Sequence, residues 1–179
     1  MNDPSNRLPQ SPADEHRDEA PDNACIAVLT MSDTRTREED HSGEIVRQGL
    51  IWRGFTVAAY EIVPDDPNQI REQIAAWLAD GTVDAIITNG GTGISSRDST
   101  FEVVDALLEK RLDGFGELFR MLSWQEIGAA AMLSRAIAGS VGSKAIFCLP
   151  GSSNGVKLAM EKLIGPELGH VIHELRKHR

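Results

Sequence analysis

Aromatic side chains are scarce here, 5% of 179 residues. The core is therefore expected to be aliphatic, built from Ile, Val, Leu and Ala. Cysteine is scarcer: Cys25 and Cys148 each sit in an apolar, strand-like run, and neither belongs to a CxxC or His-Cys cluster. That pattern predicts two buried free thiols and offers no zinc or redox site. The histidines (His16, His41, His170, His173 and His178) do not cluster with potential metal ligands, and read as solvated or structural. Positive charge is in deficit, with a formal net charge of −9 and a pI near 5.0. This argues against a broad electrostatic grip on nucleic acid or an acidic membrane. A small anion remains possible, because a local nest of backbone N–H groups does not need a basic protein. Long hydrophobic runs are also missing. Nothing approaches the ~20 apolar residues of a membrane span, and the first residues lack the apolar segment of a secretory signal. Together these absences predict a cytoplasmic protein with neither nucleic acid nor membrane as partner.

What is present reads as one α/β domain behind a tail. Residues 1–23 carry Pro4, Pro9, Pro12, Pro21 and many charges, with little to bury, and are expected to be disordered. Residues 24–179 then form one domain of ordinary size. The run 24–31 (ACIAVLTM) suits a strand buried on both faces, ending in Ser32-Asp33-Thr34-Arg35. A helix over 43–53 follows, capped by Asp40 or Ser42 and stopped by Gly54. Its buried side is Ile45, Val46, Leu50 and Trp52. A second strand, 55–63, ends in Pro64-Asp65-Asp66-Pro67. Asp66 can cap a helix over 67–79 with Pro67 in its first turn, and Ile70, Ile74, Trp77 and Leu78 read as core. Asp65 is left as a turn residue without an evident local role.

A third strand, 83–88, runs into the glycine-rich turn Asn89-Gly90-Gly91-Thr92-Gly93. A helix over 99–110 follows, capped by Ser99 or Asp98, with Glu102 placed for a capping box. In 112–127, Phe115, Leu118, Phe119 and Leu122 have helical spacing, and Gly114 and Gly116 suggest an irregular start. Residues 129–133 form a small-residue helix or turn. Strands over 135–141 and 145–149 are joined by Gly142-Ser143. The turn Pro150-Gly151-Ser152-Ser153-Asn154-Gly155 leads to a helix over 156–163. Gly165-Pro166 is expected to break it before a last helix whose apolar side is Leu168, Val171, Ile172 and Leu175. The order predicts a three-layer α/β/α sandwich, with a mostly parallel sheet and a small antiparallel edge.

In such a sheet the strand ends share one edge. That edge would hold Ser32-Asp33, Pro64-Asp65, the turn from Gly90 to Asp98, and Pro150 to Ser153. Backbone N–H groups, hydroxyls and the carboxylates Asp33, Asp65 and Asp98 would meet there. Glycine turns beside carboxylates suit a phosphate ligand with a divalent cation between them, and Mg²⁺ is commonly held by one or two carboxylates plus phosphate oxygens. Each signal is weak alone. Gly90 to Gly93 has neither the lysine of a P-loop nor the spacing of GxGxxG, and reads equally as a tight turn. Ser152-Ser153 reads equally as a helix cap. PGSSNG is not GxSxG, and no histidine is paired with it.

Several ordered motifs together are more specific. MSDTR at 31–35, D-x-SG at Asp40-Ser42-Gly43, VPDD at 63–66 and TNGGTGISSRDST at 88–100 are four of them. GFGELFRMLSWQEIG at 114–128, LSRAIAG at 133–139 and LPGSSNGVKLAME at 149–161 complete the set. This set resembles the MoaB/MogA family of molybdenum cofactor biosynthesis, to which the gephyrin G domain also belongs. The 114–128 segment is closer to the MoaB branch. The resemblance implies the molybdopterin-binding fold, a homotrimer or homohexamer, and other molybdenum cofactor enzymes as partners. Active members use Mg-ATP to adenylylate the terminal phosphate of molybdopterin, releasing pyrophosphate. The alternative it leaves is a non-catalytic molybdopterin-binding or scaffold protein of the same fold. The family's two key acids fall on Asp65 and Asp98, implied as catalytic and as Mg²⁺ ligands. Substrate-binding positions are implied at Ser32, Asp33, Thr88, Gly90, Gly91, Thr92, Gly93, Ser99, Pro150, Gly151, Ser152 and Ser153. Asn89 stands where many relatives carry Thr or Ser, with little effect expected. Phe101 replaces a proline common at that helix start.

Overall fold

Seven consecutive residues, Cys25–Met31, form strand β1 inside the sheet, and all but Cys25 are buried. Their alternating side chains feed two cores. Ile26 and Val28 pack into one, and Ala27, Leu29 and Met31 into the other. The protein is a computed structural model that describes residues 24–177. The expected tail, with His16, and His178 lie outside the described residues.

In chain order the elements are β1, α1 (His41–Trp52), β2 (Thr56–Val63), α2 (Pro67–Ala79), β3 (Ala85–Asn89) and α3 (Thr100–Leu107). Then come β4 (Lys110–Arg111), α4 (Asp113–Ile127), a 3-10 turn (Gly128–Leu133), β5 (Ile137–Val141) and β6 (Lys144–Leu149). The chain finishes with α5 (Ser153–Ala159), a π-helical turn (Met160–Ile164) and α6 (Gly165–Arg176). The six strands lie in the order β2-β1-β3-β6-β5-β4. β2, β1, β3 and β6 are mutually parallel, and β5 and β4 add the antiparallel edge. One face of the sheet is covered by α1, α4, α5 and α6, through Val46, Leu50, Phe119, Val156 and Leu168. The other is covered by α2 and α3, through Ile70, Ile74, Trp77, Val103 and Val104. This is the expected sandwich. Each large side chain fully buried in it contributes about 1.5–3 kcal/mol. Among the described residues no helix is long and apolar enough to cross a membrane.

Several local expectations are corrected. Helix α1 begins two residues early, because Asp40 is the cap that wins: its Oδ1 accepts the Gly43 N–H at 3.0 Å. Trp52 is not core. It lies at the last turn of α1, 81% exposed, with the Arg53 guanidinium 5.1 Å from its ring. Leu118 is also exposed, while Phe115 and Phe119 one turn apart are buried. Cys148 is buried as expected, but Cys25, at the open end of β1, is only half-buried. Helix α3 stops at Leu107, and Lys110–Arg111 pair with Gly139 and Ser140 as an edge strand instead. β5 starts at Ile137, since Arg135 turns away toward the carboxyl edge of the sheet. Gly114 and Gly116 lie within a continuous α4.

Gly165-Pro166 does not break the chain's last helix. The backbone widens into a π turn just before it, with the Gly165 N–H bonded to the Met160 carbonyl. Shifting the bonding register there accommodates a proline that cannot donate. Gly165 is required for another reason: a Cβ would stand 2.5 Å from the Met160 carbonyl oxygen, and 2.2 Å from Arg53 Nε. Below the sheet, buried Asp84 accepts the Cys25 N–H at 2.9 Å and pairs with Arg176 at 2.6 Å, tying the end of α6 to the start of β1.

Candidate active site at the carboxyl edge of the sheet

The parallel strands β2, β1, β3 and β6 all end on one edge, so their exit loops meet. The Ser32 N–H donates to the Val63 carbonyl at 2.9 Å, and the Gly90 N–H to the Leu149 carbonyl at 3.1 Å. Gly151 packs against Gly90, where an added Cβ would lie 3.1 Å from the Gly90 Cα. The four polar strand ends singled out in the sequence are therefore in contact.

The glycine turn is shaped by two left-handed residues, Gly90 at φ +99° and Gly91 at φ +60°. A Cβ on Gly90 would strike the Met31 carbonyl oxygen at 2.4 Å. One on Gly91 would occupy the space of Thr100 Oγ1 (2.3 Å) and Asp65 Oδ2 (2.6 Å), and one on Gly93 the space of Asp98 Oδ2 (2.6 Å). The missing side chains thus let both carboxylates close on the turn. Thr92 is buried within it.

The helix N-terminus that follows is already engaged. Ser99 donates its N–H (3.3 Å) and its hydroxyl (3.2 Å) to Asp65 Oδ1. Asp65, left without a role by its own loop, sits as the anion at the start of α3. The expected capping box does not form: Ser99 faces Asp65, and Glu102 pairs with Arg135. Asp98 turns back and accepts the Ser95 N–H at 2.9 Å. Asp33 accepts the Asp65 N–H at 3.2 Å and pairs with Arg97 at 2.5 Å. Burial holds the Asp65 carboxyl above its ordinary value. The Ser99 hydrogen bonds oppose this, and the nearby charges of Asp98 and Asp33 reinforce it. Beside it, Thr100 Oγ1 is buried with no hydrogen-bond partner among the described residues.

On the β6 side, Ser152 Oγ accepts the Gly155 N–H at 3.2 Å, so this serine caps α5. Pro150, Gly151 and Ser153 are half-buried at the rim. Thr88 does not reach the edge. It is fully buried inside β3, with Oγ1 directed at the Phe147 carbonyl at 3.5 Å. Its neighbour Cys148 has its thiol pushed up to about 12 by burial.

Sequence reasoning missed a buried polar network under the site. Asp40, 1% exposed, accepts the Tyr60 hydroxyl at 2.6 Å. Ser42 Oγ lies 2.9 Å from Asp40 Oδ1 and 2.8 Å from Asn89 Oδ1, and Asn89 Nδ2 donates to Thr30 Oγ1 at 2.9 Å. Burial alone would raise the Asp40 carboxyl. The hydrogen bonds from Thr30, Tyr60, Gly43 and Ser42 together hold it below its ordinary value. Burial first, then Asp40 beside it, raises the Tyr60 hydroxyl. Gly43 makes the cluster possible, since a Cβ would stand 2.2 Å from Asp40 Oδ2 and 2.4 Å from the Tyr60 hydroxyl. Asn89 is thus an integral part of the support. Arg135 was missed as well. It donates to the Gly93 carbonyl at 2.8 Å and stacks on Phe101 at 4.1 Å, bracing the glycine turn from outside. The D-x-SG motif at Asp40-Ser42-Gly43 was the available signal for the first cluster, while Tyr60 joins it from the next strand. Arg135 lies in the LSRAIAG motif at 133–139, which was its available signal.

The arrangement offers three carboxylates, a hydroxyl and a glycine turn at one open edge. Among the described residues no group of three or more His, Cys, Asp or Glu side chains is placed to hold a metal ion by itself. The donor set instead fits a hard cation shared with ligand oxygens.

Residues 27–170 match the family described as "Probable molybdopterin binding domain". The molybdenum cofactor biosynthesis protein B of Bacillus anthracis is 51% identical over 164 residues, covering 91% of this chain and 97% of that protein. A crystal structure of a molybdenum cofactor biosynthesis protein B is 52% identical and superposes with a TM-score of 0.83, covering 86% of this chain and 96% of that one. The tungsten cofactor synthesizing protein MoaB of Pyrococcus furiosus is 37% identical with a TM-score of 0.77, covering 88% and 100%. MogA is 27% identical with a TM-score of 0.75, covering 84% and 99%. The match spans nearly the whole described chain, and identity is higher to the protein B relatives than to MogA; the chain belongs to the MoaB/MogA family of molybdenum cofactor biosynthesis proteins, on its MoaB side.

Proposed function

We propose that the chain binds molybdopterin and adenylylates its terminal phosphate with Mg-ATP. The observation that carries this reading is the placement of Asp65 and Asp98 around one glycine turn, where Gly91 and Gly93 make room for them. Burial first, and after it the repulsion from the charges of Asp98 and Asp33, raises the Asp65 carboxyl. A divalent cation would relieve that repulsion and bridge the carboxylates to the oxygens of a polyphosphate. Asp65 and Asp98 would hold Mg²⁺, which supplies neutralisation of phosphate charge, and the unpartnered Thr100 hydroxyl is a further donor at the same place.

The reaction balances without a strong base. An oxygen of the pterin's phosphate monoester, already anionic near neutral pH, attacks the α-phosphorus of ATP. A new P–O–P bond forms, the bond between the α-phosphorus and the bridging oxygen to the β-phosphate breaks, and its electron pair leaves with pyrophosphate. The protein's tasks are to bring two anions together and to neutralise the charge that develops. The glycine turn, with Thr92 and Ser99, shapes the phosphate side. Ser32 and Asp33 form the adjoining wall, and Pro150 to Ser153 the opposite rim. Asp33 and Arg97 pair across the mouth, and Arg135 keeps the Gly93 carbonyl from drifting.

Self-association as a trimer or hexamer belongs to the same reading. It is supported by a run of exposed apolar side chains on α4 and the 3-10 turn: Leu118, Met121, Trp124, Ile127, Met132 and Leu133.

Incubation with molybdopterin and Mg-ATP, with pyrophosphate release as the readout, tests the activity. Asp98→Asn should bind the pterin but lose at least about a hundredfold in turnover, in the range of losing one electrostatic group at a reacting centre. Full turnover in that variant removes Asp98 from the mechanism. Pterin binding by the unsubstituted chain with no turnover would leave a binding protein.

A further inference from the structure

The carboxylates and the glycine turn occupy only one lobe of this edge. The other lobe is an open polar cavity of about 390 Å³ beside β2, lined by Ser32, Arg35, Arg37, Glu61, Val63 and Pro64. Ser32 and Pro64 are the chain neighbours of Asp33 and Asp65, so the cavity adjoins the carboxylate cluster directly. In a chain of net charge −9, two arginines lining one small cavity stand out.

Both are held in place without a ligand. Arg35 Nη1 donates to Ser42 Oγ at 2.7 Å and lies 3.4 Å from the buried Asp40. Its Nη2 reaches the Gly151 carbonyl at 3.5 Å. Arg37 donates to the Tyr60 carbonyl, and its guanidinium carbon stands 4.8 Å from the Tyr60 ring centroid. The network under the site therefore anchors both guanidinium groups, since Tyr60 and Ser42 belong to it. Neither uses all five of its N–H donors in these contacts. Ser32 Oγ accepts the N–H groups of Thr34 (3.3 Å) and Arg35 (3.1 Å), and donates to no partner among the described residues. Two braced guanidinium groups and an available hydroxyl suit an oxyanion with several charged oxygens. Glu61 is the only carboxylate among the lining residues. It disfavours an anion on its own wall and leaves the Ser32 side for one.

We propose that this cavity is an oxyanion subsite for the diphosphate end of the nucleotide, the part that departs as pyrophosphate. It rests on the adenylylation reading for the identity of that ligand. The division of charge orients the substrate: carboxylates and cation on one side of the α-phosphorus, arginines on the other, where negative charge accumulates as the bond to pyrophosphate breaks. Asp40, Ser42 and Tyr60 act as positioning residues for the two arginines.

The test is calorimetric binding of inorganic pyrophosphate to the full chain in Mg²⁺-containing buffer, with orthophosphate as the second probe. Arg35→Gln and Arg37→Gln are compared with the unsubstituted protein, and thermal melting verifies that each is folded. Pyrophosphate should bind more tightly than orthophosphate, and each substitution should weaken it by about tenfold or more, the loss of a charge-assisted hydrogen bond. Among the described residues the Arg37 guanidinium hydrogen-bonds and stacks on Tyr60 and does not bond Asp40, so its variant decides the matter if loss of Arg35 unsettles Asp40. Absence of millimolar pyrophosphate binding, orthophosphate binding as tight as pyrophosphate, or an affinity unchanged in the folded variants overturns the subsite. The assay contains neither ATP nor molybdopterin. A chain that binds pyrophosphate through these arginines yet never adenylylates would keep the subsite and lose the reaction.

Discussion

Asp65 shows how a single residue can be costly to the fold and useful to the site. It is partly buried, faces Asp98 and Asp33, and holds the N–H and hydroxyl of Ser99. Its carboxyl binds a proton more tightly in the folded chain than in the unfolded one. The stability linked to that proton is fully present below the unfolded value, about 4, and is lost as pH rises through the higher folded value. At neutral pH the ionised group therefore works against folding. Asp65→Asn keeps an acceptor for Ser99 and removes the charge. It should raise the melting temperature at pH 7 by roughly 1–3 °C, a small effect because solvent screens the group. The gain should vanish at pH 3, where the aspartate is already protonated. Mg²⁺ should stabilise the unsubstituted protein more than the variant. Scanning calorimetry at the two pH values, with and without Mg²⁺, measures all three. A variant less stable at pH 7 would show that hydrogen bonding outweighs repulsion there.

Among the elements, α2 depends on a side chain far away in sequence. Its C-terminal end carries no basic residue in the last turn. Lys144, at the start of β6, is buried and points its ammonium at the carbonyls of Trp77, Asp80 and Val83, with 3.3 Å to Trp77 and 2.6 Å to Val83. A cation there meets both the carbonyls at the end of the helix and the negative end of its dipole. Lys144→Met fills similar space with no donor. It should cost about 2–4 kcal/mol, because several carbonyls lose their partner together. The melting temperature should fall by roughly 5–12 °C, while pyrophosphate binding at the opposite edge of the sheet stays unchanged. A melting temperature within a degree of the unsubstituted protein would mean that water replaces the ammonium at no loss.

For the whole molecule, the apolar run on α4 and the 3-10 turn is the least explained by a lone chain. Trp124 is 62% and Met132 81% exposed, in a stripe with Leu118, Met121, Ile127 and Leu133. Single exposed apolar residues are ordinary, but a contiguous patch marks a contact surface. A second copy of the chain is the occupant that the oligomer reading assigns. Light scattering after gel filtration should give a mass that is a multiple of 19.5 kDa. Trp124→Glu should shift it toward the single chain without altering the far-UV circular dichroism. A monomeric unsubstituted protein would remove self-association from the proposal.

The local sequence by itself determined the five longer strands, most helix spans, the caps at Asp66 and Ser152, and the gathering of polar strand ends on one edge. Those features follow from periodicity and from turn and capping chemistry, which act within a few residues. It did not determine where α3 ends, because Lys110–Arg111 leave the helix to satisfy an edge whose partner is β5. Nor did it determine the continuity past Pro166, which depends on a widened turn packed against Arg53. The role of Ser99 was read from its spacing to Glu102, but the fold brings Asp65, distant in sequence, to the same N–H first. Tertiary structure alone decided that Asp65 and Asp98 close on one glycine turn, that Asp40, Tyr60 and Asn89 share a buried network, and that Arg35 and Arg37 line a cavity beside the carboxylates. The physical reason is common to all three. Charge and hydrogen bonding act over a few ångströms of space, and only the packed sheet brings residues distant in sequence within that range.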